Sequence, residues 1–261
     1  AVVSLVLTPF ALTVCLLTAM IQMQKATTTA EFLGISISVG VLLGAFGITA
    51  AHELVHRRQK NYRALGVANL VLCNFAHWGL EHVYGHHKNV ATPHDPATSR
   101  KNEWLYPYWF RSYIGVLRGA WTISKPKVLS YWVLSLVLSL AVYFVFGAQV
   151  LAGWWIASLF AVLLLQTVDY IEHYGLQRTQ NEDGVYTAVK AHHAWDTSSI
   201  ATNVNLYNLG LHSHHHMKAA IPFQDLSEQP GHREMPFGYS VMIILALFPF
   251  IYIPFMNKRL T

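Results

Sequence analysis

Charged side chains are scarce in this sequence: Asp, Glu, Lys and Arg make up 12% of its 261 residues, roughly half the share of a soluble domain. A chain so poor in charge cannot clothe a water-facing globule, so an ordinary soluble fold is excluded. Cysteine is nearly missing too. Cys15 and Cys73 are the only two, both in apolar stretches without CxxC spacing, which argues against a disulfide framework or a thiolate metal site. No Gly/Ser-rich linker or low-complexity tract interrupts the chain, and residues 1–261 read as one membrane-embedded domain. The net charge of +5 is small for a nucleic-acid binder. Its basic residues flank apolar runs instead of forming a patch, so nucleic acid is not expected as a partner. No charged n-region or cleavage motif precedes the first apolar run, which starts at Ala1 itself; residues upstream of Ala1 are expected.

What is present is apolar, 53% of residues, gathered in long runs as in membrane proteins. Four runs are long enough to cross a bilayer: Val2–Ile21, Phe32–Ala51, Trp132–Phe146 extended to Gln149, and Leu151–Val168. The first pair forms a hairpin around the polar turn Gln22–Glu31, and the second pair another around Gly147–Gly153. Arg57, Arg58, Lys60 and Arg63 follow the second run, and Arg100, Lys101, Arg111, Arg118, Lys125 and Lys127 recur in the middle of the chain. The positive-inside rule places both segments in the cytoplasm. The shorter piece Leu65–Leu80 has histidines on both sides and reads as a buried or re-entrant helix on that face. Tyr239–Met256, interrupted by Pro249 and Pro254 and followed by Lys258-Arg259, reads as a surface-lying or partly immersed helix. The expected fold is an all-α integral membrane protein with about four transmembrane helices, plus cytoplasmic and re-entrant helices that carry the histidines.

Fifteen histidines are the anomaly, and most fall in clusters just outside the apolar runs. The first cluster is His52-Glu53-Leu54-Val55-His56, where i, i+4 spacing on a helix puts both imidazoles on one face. It also matches the HExxH pattern of zinc metalloproteases, so alone it leaves zinc open. The second is Glu81-His82-Val83-Tyr84-Gly85-His86-His87, and the third is His212-Ser213-His214-His215-His216. His173 stands singly in Asp169-Tyr170-Ile171-Glu172-His173-Tyr174-Gly175. One zinc takes three or four ligands. Nine or more imidazoles fit two ions better than one, and imidazole suits iron among several metals.

Other residues have humbler readings. Glu53, Glu81 and Glu172 each stand beside a clustered histidine, where a carboxylate holds an imidazole N–H and sets its tautomer. Asp95, in Pro93-His94-Asp95-Pro96, belongs to the same supporting layer, with His94 as a bracing loop residue. His77 reads as a core histidine, His192 and His193 as braces, and His232 as solvated. In the second run Gly40, Gly44 and Gly47, spaced i, i+4, i+7, are expected on one helix face. That face either packs closely against another helix, as GxxxG faces do, or leaves a groove for an alkyl chain, lined by Ile37, Val41 and Ile48.

The stretches HELVHRR, EHVYGHH, ATPHDPATSR, DYIEHYGL and NLGLHSHHH, in that order, resemble the AlkB-type alkane monooxygenases of the membrane fatty-acid desaturase and hydroxylase superfamily. The resemblance runs from about Ala1 to Lys258. It implies one diiron oxygenase domain in a bacterial inner membrane, with its metal site on the cytoplasmic side. The implied reaction is terminal hydroxylation of n-alkanes by two non-haem iron ions and O2. Electrons would come from a rubredoxin- or ferredoxin-type donor on the cytoplasmic face, and the aliphatic substrate from the bilayer. The implied ligands are His52, His56, His82, His86, His87, His173, His212, His215 and His216. Departures are concentrated in the third box, usually NLQRHSDHH, where this chain has Gly210, Leu211 and His214. His214 is then a supporting residue and not a tenth ligand. Asp169, also in the supporting layer, and Asp196 stand where the family usually has Asn. The segment Arg118–Lys127 is shorter than usual, and family members usually have two further spans before Ala1, so either residues are absent there or this is a compact relative. These departures keep a fatty-acid decarboxylase forming terminal alkenes, or an acyl desaturase, as alternatives. A membrane zinc metalloprotease is the remote one.

Overall fold

A computed structural model of the protein describes residues 2–260, and among these the fold is helical apart from two strands of two residues each. Helix α1 spans Val2–Lys25 and α2 spans Thr29–Leu42; a π-helical turn, Leu43–Ile48, joins α2 directly to α3, Thr49–Val55. After α4 (Lys60–Leu72) and α5 (Ala76–Glu81), a second π-helical turn, His82–His86, leads into α6, His87–Asn89. Helices α7 (Leu105–Phe146) and α8 (Ala148–His173) follow, then β1 (Trp195–Asp196), α9 (Ile200–Asn205) and α10 (His212–Met217). The chain closes with β2 (Arg233–Glu234), α11 (Tyr239–Ala246) and α12 (Pro249–Asn257). Four helical stretches are long and apolar enough to cross a membrane: Val3–Lys25, Thr29–Val55, Leu105–Phe146 and Ala148–His173. The protein is an all-α integral membrane protein.

Local chemistry explains where these helices break. Helix α7 begins well before the apolar run that announces it, and its backbone leaves helical geometry at Ser124 (φ −161°, ψ 94°). Pro126, two residues on, has no N–H for the preceding turn, and its ring disfavours helical geometry just before it. Between α7 and α8 the single residue Gly147 reverses the chain at φ +89°, a conformation open to glycine. The stretch Leu65–Leu80, expected as one helix, is two: Asn74, at φ 53°, turns the chain between α4 and α5. Tyr239–Met256 is likewise α11 and α12, bent by 119°, with Pro249 opening the second helix, where its missing N–H costs nothing.

By contact the chain divides into two compact units. One comprises the residues up to Leu80 with Ala120–Leu165; the other comprises Glu81–Gly119 and the residues from Gln166 onward. In the first, α2 starts on a reciprocal cap: the Thr28 hydroxyl accepts the Glu31 N–H at 3.2 Å, and the Glu31 carboxylate accepts the Thr28 N–H at 3.2 Å. A Cβ on Gly40 would lie 2.7 Å from the Ala157 carbonyl oxygen, and one on Gly44 would lie 3.1 Å from the Ala161 carbonyl oxygen, both on α8. The glycines are thus the contact of a tight helix pair. Gly47 points elsewhere, toward Leu12 of α1 and Asn69 of α4, and the Asn69 amide donates to its carbonyl. The π turn inserts an extra residue into the helix and rotates the residues beyond it, so the i, i+4, i+7 face expected of a regular helix does not form. Ile37 and Val41 are exposed and Ile48 is buried. Close packing on α8 thus accounts for Gly40 and Gly44.

The second unit is built on an aromatic core that includes Tyr108, Tyr170, Tyr174, Trp195, Tyr239 and Tyr252. Three of its tyrosines place their hydroxyls on acceptors, as buried hydroxyls require: Tyr108 donates to the Ala97 carbonyl at 2.8 Å, Tyr170 to that of Glu103 at 2.6 Å, and Tyr174 to Asn257 Oδ1 at 3.1 Å. Arg111 stitches the loop before α7 by donating to the carbonyls of Pro96 and Thr98 and to the Glu103 carboxylate.

Candidate metal centre

In the second unit seven clustered histidines sort into two sets. His86, His173, His212 and His216 are all buried, and their ligand nitrogens lie within 4.8 Å of one another. Nε2 of His212 is 3.2 Å from Nε2 of His173 and 2.9 Å from Nε2 of His216. In the other set, His87 Nε2 lies 3.1 Å from Nε2 of both His82 and His215. Regular helical spacing pairs His82 with His86. The rings of His82 and His86 do stay stacked, 5.1 Å apart, but across the π turn the Nε2 of His82 meets that of His87, five residues on, while His86 joins the first set. Such turns recur at functional sites because they re-aim side chains within a helix. Helix α10 divides its histidines in the ordinary way, His212 and His216 on one face and His215 beside it.

In the first unit, His52 and His56 sit at the end of α3 with ring centroids 5.1 Å apart. Their i, i+4 spacing is the one expected. Glu53, between them, forms an ion pair with Arg57 at 2.5 Å.

The carboxylates differ in what they hold. Asp95 accepts the His86 Nδ1–H at 2.9 Å, the Thr98 hydroxyl at 2.6 Å and the Ala97 N–H at 3.0 Å. This fixes the His86 tautomer with Nε2 turned inward, where that atom is buried without a hydrogen-bond partner. Burial alone would depress the His86 imidazole, but the Asp95 carboxylate raises it to about 9, so an ion binding at Nε2 would displace a proton from that atom. Burial and the neighbouring His212 keep His216 neutral, the state that binds metal. Glu172 accepts the Tyr239 hydroxyl at 2.5 Å and approaches His212 Nε2 at 3.3 Å. Glu81 lies in a slot between Gly85 and Gly119, whose missing side chains make room for its carboxyl group. Burial, with Asp95 nearby, pushes it up to about 8. Asp169 is buried in α8, one turn before His173.

The remaining histidines lie outside the two sets. His214 accepts the Ser227 N–H at 3.0 Å and lies outside both sets. His77 is buried against the Phe75 ring, and His193 accepts the Lys190 N–H at 3.0 Å. His94 and His192 are exposed. His232 is not simply solvated: it donates to the Gln229 carbonyl at 2.8 Å and faces Glu234 at 3.4 Å. Sequence reasoning noted Asp196 only as a departure from the family and missed its partner Ser213 and also Tyr239, whose contacts span long stretches of chain and leave no local spacing to find.

The first set suits a metal ion. Two nitrogens each about 2.1 Å from one ion, a typical metal–imidazole distance, are about 3 Å apart when they subtend a right angle. The observed separations of 2.9 and 3.2 Å match this. Imidazoles packed this closely in a buried space, with His86 Nε2 otherwise orphaned, are a donor set suited to a cation.

Helical spans and a buried polyhistidine cluster able to hold a metal ion together describe a membrane protein with a candidate metal site. Residues 29–244 match the fatty acid desaturase family model, and the chain belongs to that family. It is similar to an alkane 1-monooxygenase of Acinetobacter baylyi, 32% identical over 90% of this chain and 61% of the relative. An alkane 1-monooxygenase 1 of Pseudomonas aeruginosa is 35% identical over 83% of this chain and 60% of its own length. More distant is the xylene/toluene monooxygenase hydroxylase component of Pseudomonas putida, 25% identical over 83% of this chain and 61% of that protein. The chain spans about three-fifths of the length of these curated relatives.

Proposed function

We propose that residues 1–261 act as one diiron oxygenase domain that hydroxylates the terminal carbon of n-alkanes to 1-alkanols, with O2 as co-substrate. The observation that carries this reading is the convergence of His86, His173, His212 and His216 from three separate stretches of a chain similar to alkane 1-monooxygenases. Nine histidines are the ligands for two iron ions: these four serve one, His82, His87 and His215 serve the other, and His52 and His56 complete the ligand set. The assignment of His52 and His56 rests on their HExxH spacing and on the family resemblance. When bound, the irons supply the binding and reduction of O2, chemistry that no amino-acid side chain provides.

The protein's own groups do the rest. Asp95 orients His86 and keeps its Nε2 free. Tyr239 holds Glu172 beside His212. The buried surroundings of the first set keep water from the reacting carbon. The aliphatic substrate enters from the bilayer, and the site faces the cytoplasm of a bacterial inner membrane. A rubredoxin- or ferredoxin-type protein delivers electrons there, attracted by the exposed basic residues Arg58 and Lys60.

The test is to purify the chain from membranes, reduce it with such a donor under 18O2, and supply an n-alkane or a fatty acid of equal length. A labelled 1-alkanol and two irons per chain are expected. A terminal alkene from the acid would instead favour the decarboxylase reading. One zinc per chain with peptide cleavage would overturn the oxygenase.

A further inference from the structure

Three consecutive residues outside the histidine clusters, Trp195, Asp196 and Thr197, are tied to the two stretches of chain that carry His173 and the third cluster. The Trp195 indole N–H donates to the Tyr174 carbonyl at 2.9 Å, directly after His173. One oxygen of Asp196 accepts the Ser213 backbone N–H at 2.6 Å and the other accepts the Ser213 hydroxyl at 2.6 Å. The Thr197 N–H donates to the Gly210 carbonyl at 2.8 Å, two residues before His212. All three residues are buried.

Helix α10 needs such help. It has six residues, too few to sustain itself, and its leading N–H groups have no partner within the helix. The cap position, Leu211, offers no side-chain acceptor, so Asp196 supplies one from β1. Gly210 allows the approach, since a Cβ there would come within 2.8 Å of the Thr197 methyl carbon and 2.9 Å of its carbonyl oxygen. The strap is itself anchored. The Asp196 carbonyl accepts the Met235 N–H at 2.7 Å, β1 pairs with β2, and the Arg233 guanidinium lies over the Trp195 ring at 5.7 Å.

We propose that Trp195-Asp196-Thr197 is a positioning strap for the metal ligands: Asp196 aims His212, His215 and His216 through Ser213, and Trp195 fixes the chain behind His173. The inference rests on the diiron reading of the histidine clusters. Asp196 does not touch a ligand imidazole. It sets the direction of the helix that carries three of them.

The full chain in detergent is loaded with iron-57 in three forms: wild type, Asp196→Ala and Asp196→Asn. Asparagine can keep both bonds, its Oδ1 accepting the Ser213 N–H and its Nδ2 donating to the Ser213 hydroxyl oxygen. Asp196→Ala is expected to bind iron about 10- to 100-fold more weakly and to show altered Mössbauer parameters, while Asp196→Asn restores the wild-type spectrum. Ser213→Ala removes only the hydroxyl bond and is expected to give a smaller loss; it carries the test if Asp196→Ala does not fold. Iron affinity and spectrum unchanged in whichever of the two folds would overturn the strap, as would an asparagine variant no better than alanine. A wild-type chain that binds no iron would overturn the diiron reading instead, and two irons in the wild type with unmoved variants would overturn the strap alone.

Discussion

The Nε2 atoms of His87 and His215 lie 3.1 Å apart although 128 positions separate the residues in sequence. His86 and His216, their chain neighbours, belong to the other set. On the diiron reading adjacent histidines serve different ions, and single substitutions should be separable. His216→Ala and His215→Ala are each expected to lower bound iron from about two per chain to one or fewer, with different residual Mössbauer signals. His232→Gln should keep both irons. Metal analysis of the purified variants decides, and a full complement in His173→Ala would refute the ligand assignment.

Asp95 holds His86 by a 2.9 Å hydrogen bond in a fully buried setting. Asp95→Ala is expected to weaken iron binding about 10- to 100-fold, the usual cost of losing a carboxylate behind a metal-bound histidine. Competition with a chelator of known affinity measures this. Equal retention in variant and wild type would show that the histidine needs no such support.

Helix packing at Gly40 makes a stability prediction. Gly40→Ala forces a Cβ to within 2.7 Å of the Ala157 carbonyl oxygen and should cost about 1–3 kcal/mol. Gly34, on the same helix, has nothing within 4 Å of its would-be Cβ, so Gly34→Ala should be neutral or stabilise by up to about 1 kcal/mol. Thermal unfolding in detergent compares them. Were Gly40→Ala instead to fold normally and shift the chain-length profile of products, the groove reading would return.

His77 supplies a pH dependence. Burial depresses its imidazole from 6.5 to about 4, so protonation favours the unfolded chain. The stabilising difference is fully present above pH 6.5 and is lost as pH falls toward 4, at most about 3 kcal/mol. His77→Gln cannot take up that proton, so its unfolding should be less steeply acid-dependent over this window while iron binding persists. Parallel pH curves for the two proteins would contradict the assignment.

On the proposed function, donor docking is expected at Arg58 and Lys60, because Arg57 is engaged with Glu53. Arg58→Glu with Lys60→Glu is expected to raise the KM for an acidic electron donor at low salt, with iron content unchanged and the difference fading as salt is added. An unmoved KM at low salt would leave these residues as topology anchors.

Composition and spacing determined a good deal alone. A bilayer demands continuous apolar length, so the four runs mark the four spans directly, and the histidine clusters name the donor type because few other residues bind such metals as neutral groups. His52 and His56 keep the face that their spacing requires. What tertiary structure decided lies where regular geometry fails or where partners are distant. The π turn at His82–His86 brings His82 Nε2 onto His87 and leaves His86 against His173 and His216, and the one at Leu43–Ile48 turns Gly47 off the Gly40 face. Neither shift is visible to a rule that assumes 3.6 residues per turn. Asp196 finds Ser213 across 17 positions, and Glu172 finds Tyr239 across 67. Such contacts depend on how helices and loops pack, which no local pattern encodes.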